Sequence, residues 1–202
     1  MDDRSKKALA ALRKDSRLKP IIARIGPPRF HEYSRQDLLH NLLEAIVAQQ
    51  LSGKVASVIF GRLKALGGPR FPNPSALLKL TDQQLKEAGL SRAKMACVRD
   101  LCTRISDGNL DLGSLPDLPD AEVEKALVQV RGIGPWTAHM ALIFALGRPD
   151  VWPAGDLGLR NSLREVLGLD RLPTIQEAEA MGDPWRPWRS YACWYLWQIH
   201  DA

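Results

Sequence analysis

LVQVRGIGPWTAHMALIFALGRPDVWPAGD, Leu127 to Asp156, is the stretch whose reading decides the fold. Val123, Leu127 and Val130 lead into it at helical spacing, and Trp136, Met140, Ile143 and Phe144 lead out at the same spacing. Between them runs Val130-Arg131-Gly132-Ile133-Gly134-Pro135, a tight Gly-x-Gly corner. Two helices joined by such a corner predict a compact αα-hairpin, with glycine where positive φ or close backbone approach is needed. The second helix would present backbone amides at its start, from Gly134 through Thr137, and amides at a helix start suit a phosphate. Such a site holds nucleic acid without reading its sequence. Taken alone, a Gly-x-Gly turn between helices is more often only a turn.

Outward from the hairpin, helical periodicity dominates and no strand pattern persists. Residues 5–14 read as a short surface helix, and Leu18, Ile21, Ile22 and Ile25 as one side of another. Ser34 and Asp37 read as a capping box ahead of Leu38, Leu39, Leu42, Leu43, Ile46 and Val47. After Gln49-Gln50-Leu51-Ser52-Gly53 a new helix puts Val55, Val58, Ile59, Leu63 and Leu66 on one face. Thr81 with Gln84, and Thr174 with Glu177, form further capping boxes; Ser91 caps a helix with a basic side of Arg92, Lys94, Arg99 and Arg104. Asp120 is expected to cap the first hairpin helix, and Asp156 the helix beginning at Leu157. Trp194 and Trp197 in the last helix read as core.

A chain of 202 residues suffices for one domain or two small lobes sharing a core. Its net charge of +5 and pI near 9.3 fit a nucleic-acid partner without requiring one. Cys97, Cys102 and Cys193 are odd in number and irregularly spaced, so neither a disulfide framework nor a Cys-x-x-Cys site is expected. His31, His40, His139 and His200 are scattered, so zinc is not expected. With no apolar leader and no membrane-spanning run, an intracellular, cytoplasmic setting is the expectation.

Gly132-Ile133-Gly134-Pro135-Trp136-Thr137-Ala138, Pro153 to Asp156, Ile46 to Ser52, and Arg186-Pro187-Trp188-Arg189-Ser190-Tyr191-Ala192 together carry a resemblance. They resemble the helix-hairpin-helix DNA glycosylase superfamily, in particular its 3-methyladenine DNA glycosylase II branch. The resemblance spans roughly residues 38 to 200. It implies an all-α fold of two helical lobes around a DNA-binding cleft, one lobe approximately 34–118 and the other 1–33 plus 119–202, with the hairpin at 120–146. It implies a minimal catalytic core without the N-terminal β-domain of the bacterial prototype, and no iron–sulfur loop. The implied partner is double-stranded DNA with a damaged base, met by a monomer that needs no cofactor.

The resemblance also assigns residues. Asp156 becomes the catalytic carboxylate that stabilises an oxocarbenium-like sugar and orients a water; its bland role as a helix cap is compatible. Trp136 and Trp188 line the pocket for an everted base, with Met140 as a soft wall, and stacking favours a cationic base. Gly132, Ile133, Gly134, Pro135 and Thr137 grip the DNA backbone. Leu51, with Gln50 as its polar neighbour, is the wedge that fills the gap left in the stack; without the resemblance, this junction reads as a solvated helix end. A Na+ or K+ ion at the carbonyls of Val128, Val130 and Ile133 is implied by position. Family members with lyase activity carry a lysine where this chain has Trp136, so a monofunctional enzyme is expected. Two other readings stay open: a non-catalytic DNA-binding hairpin module, and a glycosylase for deaminated or oxidised bases.

Overall fold

The computed structural model describes residues 2–28 and 38–199, and every α or other regular element among them is helical. The capping box expected at Ser34 and Asp37 lies outside the described residues. The chain divides into two units, Tyr33–Leu146 and Met1–Glu32 with Gly147–Ala202.

The first unit is built around α3 (Leu38–Ala48), whose Leu42, Leu43, Ile46 and Val47 are fully buried. A helix apolar on most of its circumference must be surrounded, and α3 packs against α4 (Gly53–Gly67), α7 (Arg92–Ser106) and α9 (Pro135–Met140). The short α5 (Pro74–Leu78) and α6 (Asp82–Glu87) rest on α7. The capping box of Thr81 and Gln84 forms as expected, and Ser91 caps α7 through the amide of Lys94. The buried face of α4 differs from the expectation: Ala56, Ile59, Phe60 and Leu63 point inward, while Val55 and Val58 are 46% and 51% exposed. Aliphatic residues at helical spacing flank both sides of this helix, and only the position of α3 selects between them.

The basic side of α7 is largely committed within the unit. Lys94 donates to the Val47 carbonyl (2.7 Å), Arg99 to Asp82 and to the Leu80 carbonyl (2.8 Å), and Arg104 to Asp100.

The hairpin consists of α8 (Asp120–Leu127), the corner, and α9, followed by a π-helical turn at Ala141–Ala145. Pro119, not Asp120, is the N-cap of α8, and no side-chain cap bond forms there. Asp120 already lies inside the first turn, where a carboxylate suits the helix dipole. The hairpin groups with residues 33–118, whereas the sequence reading puts it with the C-terminal segment. The reason is packing: α9 and the π turn both lie on α3.

The second unit joins the two ends of the chain. In α12 (Arg189–Trp197) every residue from Arg189 to Leu196 is buried, against α2 (Leu18–Ile25) and α10 (Leu157–Leu167). The helix α11 (Ile175–Gly182) opens with the expected Thr174–Glu177 capping box. The N-terminal helix α1 (Asp3–Leu12) was expected to offer little apolar surface, yet Ser5, Ala8, Leu9 and Leu12 are all buried. Three small or aliphatic residues one turn apart suffice to dock a helix when its serine finds a partner, here the Tyr191 hydroxyl at 3.5 Å. Of the residues expected inward on α2, Leu18 and Ile22 are fully buried, while Ile21 and Ile25 are only partly so.

Candidate functional site

The corner of the hairpin uses its glycines unequally. Gly132 has φ +86°, a left-handed conformation, and a Cβ there would stand 3.2 Å from Cys97 Cβ. Both the backbone and the neighbour therefore demand glycine. Gly134 has extended backbone (φ −100°, ψ 177°) and nothing within 4 Å of a built Cβ. Its missing side chain leaves the start of α9 uncovered. Pro135 at the first helical position has no N–H, and the first bond of α9 runs from the Ala138 amide to the Gly134 carbonyl (3.1 Å). The helix-start amides are thus those of Gly134, Trp136 and Thr137, one fewer than the sequence reading counted.

Two side chains that sequence reasoning missed hold this corner. Gln49 donates through Nε2 to the Gly132 carbonyl and to Thr137 Oγ1, both at 3.1 Å. Asp100 accepts the Arg131 amide at 2.8 Å and pairs with Arg104; these bonds, the backbone one first, hold its carboxyl below the usual carboxylate range. Gln49 lies within the motif quoted above, so a signal existed; nothing marked Asp100. Ile133 is buried, and its amide closes the turn onto the Val130 carbonyl (3.0 Å).

The end of α3 continues into a turn at Gln49–Leu51. Gln50 occupies its apex with φ +57°, the one non-glycine residue in left-handed conformation among those described, and it is exposed. Leu51 follows, 38% exposed, its amide bonded to the Ala48 carbonyl (3.1 Å). The apex is therefore the glutamine, and the leucine stands beside it.

Within the same unit lies a cavity of about 230 Å³. One wall is the Asn41, Glu44, Ala45, Ala48 stripe of α3; the other is Trp136, Met140, Ala141 and Phe144. Positions 41, 44, 45 and 48 share a helix face, and the two alanines leave the space that a larger pair would fill. The π turn at Ala141–Ala145 widens the helix where Ala141 and Phe144 face the cavity; such turns recur at functional sites. Trp136 is 38% exposed at the cavity edge. A volume below the ~300–1,000 Å³ of drug-sized pockets fits one heteroaromatic ring. Trp136 and Met140 are thus brought together. Trp188 belongs to the other unit, where it is half-buried and edge-on to Tyr191 at 5.9 Å.

Asp156 is the N-cap of α10, as expected, and its Oδ1 accepts the Leu159 amide at 2.6 Å. The same oxygen accepts the indole N–H of Trp197 at 2.9 Å. Trp197 is half-buried, so its reading as plain core is corrected: its ring packs, but its one polar atom serves the carboxylate. Trp194, by contrast, is buried as expected, at 7%. Gly158 beside them leaves room, since a Cβ there would come within 3.2 Å of Asp156 Oδ1.

The segment before Asp156 is fixed from α12. Asp150 binds Arg186 and Arg189. Ser190 Oγ accepts the Val151 amide (2.9 Å) and donates to the Arg148 carbonyl (2.7 Å), and the Ser190 amide donates to the Pro149 carbonyl. Trp152 anchors the next stretch by donating to the Ala178 carbonyl (2.8 Å). The Arg186–Ala192 motif therefore clamps the loop that delivers Asp156.

Among the described residues no cluster of His, Cys, Asp or Glu could hold a metal ion, and no helix is long and apolar enough to cross a membrane.

Residues 43–187 match the model of the HhH-GPD superfamily base excision DNA repair protein. The Bacillus subtilis protein YfjP is 34% identical over 179 residues, 86% of this chain and 61% of that protein. The chain thus spans under two thirds of that relative's length. DNA-3-methyladenine glycosylase 1 of Schizosaccharomyces pombe is 31% identical over 90% of this chain and 80% of its own. Among solved structures, the 3-methyladenine DNA glycosylase Mag1 of Schizosaccharomyces pombe, in complex with abasic DNA, superposes with TM-score 0.86 at 28% identity, covering 97% of both chains.

Proposed function

From the premise that this chain belongs to the HhH-GPD superfamily of base excision DNA repair proteins, we propose that it is a monofunctional DNA glycosylase for alkylated bases. It acts as an intracellular monomer on double-stranded DNA, releases 3-methyladenine, 7-methylguanine and related adducts, and leaves an abasic site. The observation that carries this reading is the carboxylate of Asp156, oriented through Oδ1 by the Leu159 amide and the Trp197 indole.

The N-glycosidic bond breaks through a sugar with oxocarbenium character, and a fixed carboxylate stabilises that charge as it develops. The same group orients or deprotonates the attacking water. A base alkylated on a ring nitrogen leaves as a neutral species and demands little acid assistance. The cavity beside Trp136 and Met140 receives the extruded base, with the indole face favouring positive charge. The start of α9, exposed at Pro135 and Trp136 and continued by the amide of the buried Thr137, with Gly132, Ile133 and Gly134 behind it, grips the DNA backbone. Gln50 and Leu51 fill the space the base vacates. The carbonyls of Val128, Val130 and Ile133 are neutral oxygen donors of the kind Na+ or K+ takes, and Val130, though bonded to Ile133, keeps a second lone pair. Such an ion would add positive charge beside a phosphate. No other cofactor enters the chemistry, and Trp136 offers no amine for a Schiff base with the sugar.

The test uses duplexes that each carry one defined lesion. Asp156→Asn preserves capping, because asparagine caps as well as aspartate, but removes the charge. Base release is expected to slow about 10²–10⁴-fold with little change in stability. Strand cleavage before heat or alkali, lost in Asp156→Asn, would overturn the monofunctional reading. Absence of any base release would favour a binding module.

A further inference from the structure

The cavity beside Trp136 is apolar except at one end, where α3 supplies Asn41 and Glu44. Asn41 is buried, at 8% exposure; Glu44 is exposed on its outer edge. Among the described residues Glu44 has no ion-pair partner, whereas elsewhere in this unit Arg99 binds Asp82, Arg104 binds Asp100, and His139 meets Glu124. The remaining lining is two alanines, one methionine, one phenylalanine and Trp136, with Ala141. A carboxylate without a counter-cation at the edge of an aromatic cavity is matched by a planar cation.

We propose that Glu44 selects for positively charged bases: its carboxylate supplies the charge complement to an alkylated, cationic nucleobase stacked on Trp136. This rests on the glycosylase reading above and deepens it by naming the residue that discriminates. Trp136 attracts the cation through its ring face, but a ring also stacks on neutral bases, so stacking alone discriminates weakly. A carboxylate attracts only the cation and, being an acceptor without a donor, also receives exocyclic N–H groups. The attraction is made to the bound base before the bond breaks and fades as the base leaves neutral. Glu44 therefore acts on capture of the everted base, while Asp156 acts on the sugar.

The experiment measures release of 7-methylguanine and 3-methyladenine under subsaturating and saturating enzyme for wild type, Glu44→Asp, Glu44→Gln and Glu44→Lys. Binding to an abasic-site duplex, which puts no base in the cavity, and thermal stability are measured alongside. Removing the charge is expected to lower subsaturating release about tenfold in Glu44→Gln, the size of one partly solvated charge interaction. Glu44→Lys falls further, Glu44→Asp retains most activity, and the saturating rate falls less than the subsaturating one. Abasic-duplex affinity and melting temperature stay at wild-type values. Wild-type rates in Glu44→Gln, or an equal loss of abasic-duplex binding, overturn the proposal while leaving the glycosylase reading intact. If wild type releases neither base, the glycosylase reading itself has failed.

Discussion

One oxygen of the Asp156 carboxylate accepts from both the Leu159 amide and the Trp197 indole, and each of these donors has a different job. The Leu159 amide is part of the helix cap and is present whatever the function. The Trp197 indole comes from α12, 41 positions along the chain, and is the one that depends on tertiary structure. A hydrogen bond to a charged group contributes roughly 1.5–3 kcal/mol. Trp197→Phe keeps most of the ring and removes the N–H. Base release is expected to slow about tenfold or more, with only a small drop in melting temperature, measured by single-turnover assay and thermal unfolding. Unchanged release would show that the cap alone orients the carboxylate. At the hairpin corner, geometry dictates the identity of Gly132, since its φ and its distance to Cys97 both exclude a side chain. Burial pushes the Cys97 thiol up to about 12, so in the folded protein it behaves as a packing atom, not a nucleophile.

Between elements, the joint that matters is the one from α3 to the hairpin. Gln49 closes it with one nitrogen shared between the Gly132 carbonyl and Thr137 Oγ1. Gln50 and Leu51 follow directly, so the position of the wedge relative to the hairpin depends on this link. Lys94 braces the same helix end at the Val47 carbonyl, where desolvation lowers its ammonium below the ordinary lysine range. Gln49→Ala removes two neutral hydrogen bonds of about 0.5–1.5 kcal/mol each. It is expected to destabilise the protein by about 1–2 kcal/mol in chemical denaturation and to weaken binding to an abasic duplex. Loss of stability with unaltered duplex affinity would reduce Gln49 to a structural strut. The α4 face teaches a related lesson: Val55 and Val58 read as inward by spacing, but the helix turns Ala56 and Phe60 inward and leaves the valines exposed.

At the scale of the molecule, the N-terminal arm completes the unit that carries Asp156. Asp15 accepts the Trp185 indole N–H (2.9 Å) and pairs with Arg17, whose guanidinium lies 5.1 Å from the Trp185 ring centre. Tyr195 donates to the Gly26 carbonyl at 2.7 Å. The Arg17 bond first, and the Trp185 bond with it, hold the Asp15 carboxyl well below the ordinary carboxylate range despite the opposing effect of burial. A carboxyl depressed on folding adds stability above its unfolded pKa of about 3.9 and loses it as pH falls toward the folded value. Asp15→Asn is therefore expected to melt lower than wild type at neutral pH. The gap should close as pH is lowered below about 4, read by thermal unfolding across pH. A gap that is constant with pH would assign the effect to shape alone.

The sequence by itself determined that this chain is helical, where its caps fall at Thr81, Ser91, Asp156 and Thr174, and that glycine corners a hairpin after Val130. These are local facts: capping, periodicity and backbone freedom act over a few residues. The sequence also singled out Trp136, Met140 and Asp156, because motifs keep such residues at fixed distances along the chain. Only tertiary structure decided that Trp197 serves Asp156, that Gln49 and Asp100 hold the corner, and that the hairpin packs on α3. Each of these depends on which faces of distant helices meet. A helical pattern states that a face is apolar, but not which partner covers it or which polar atom on that face finds a bond.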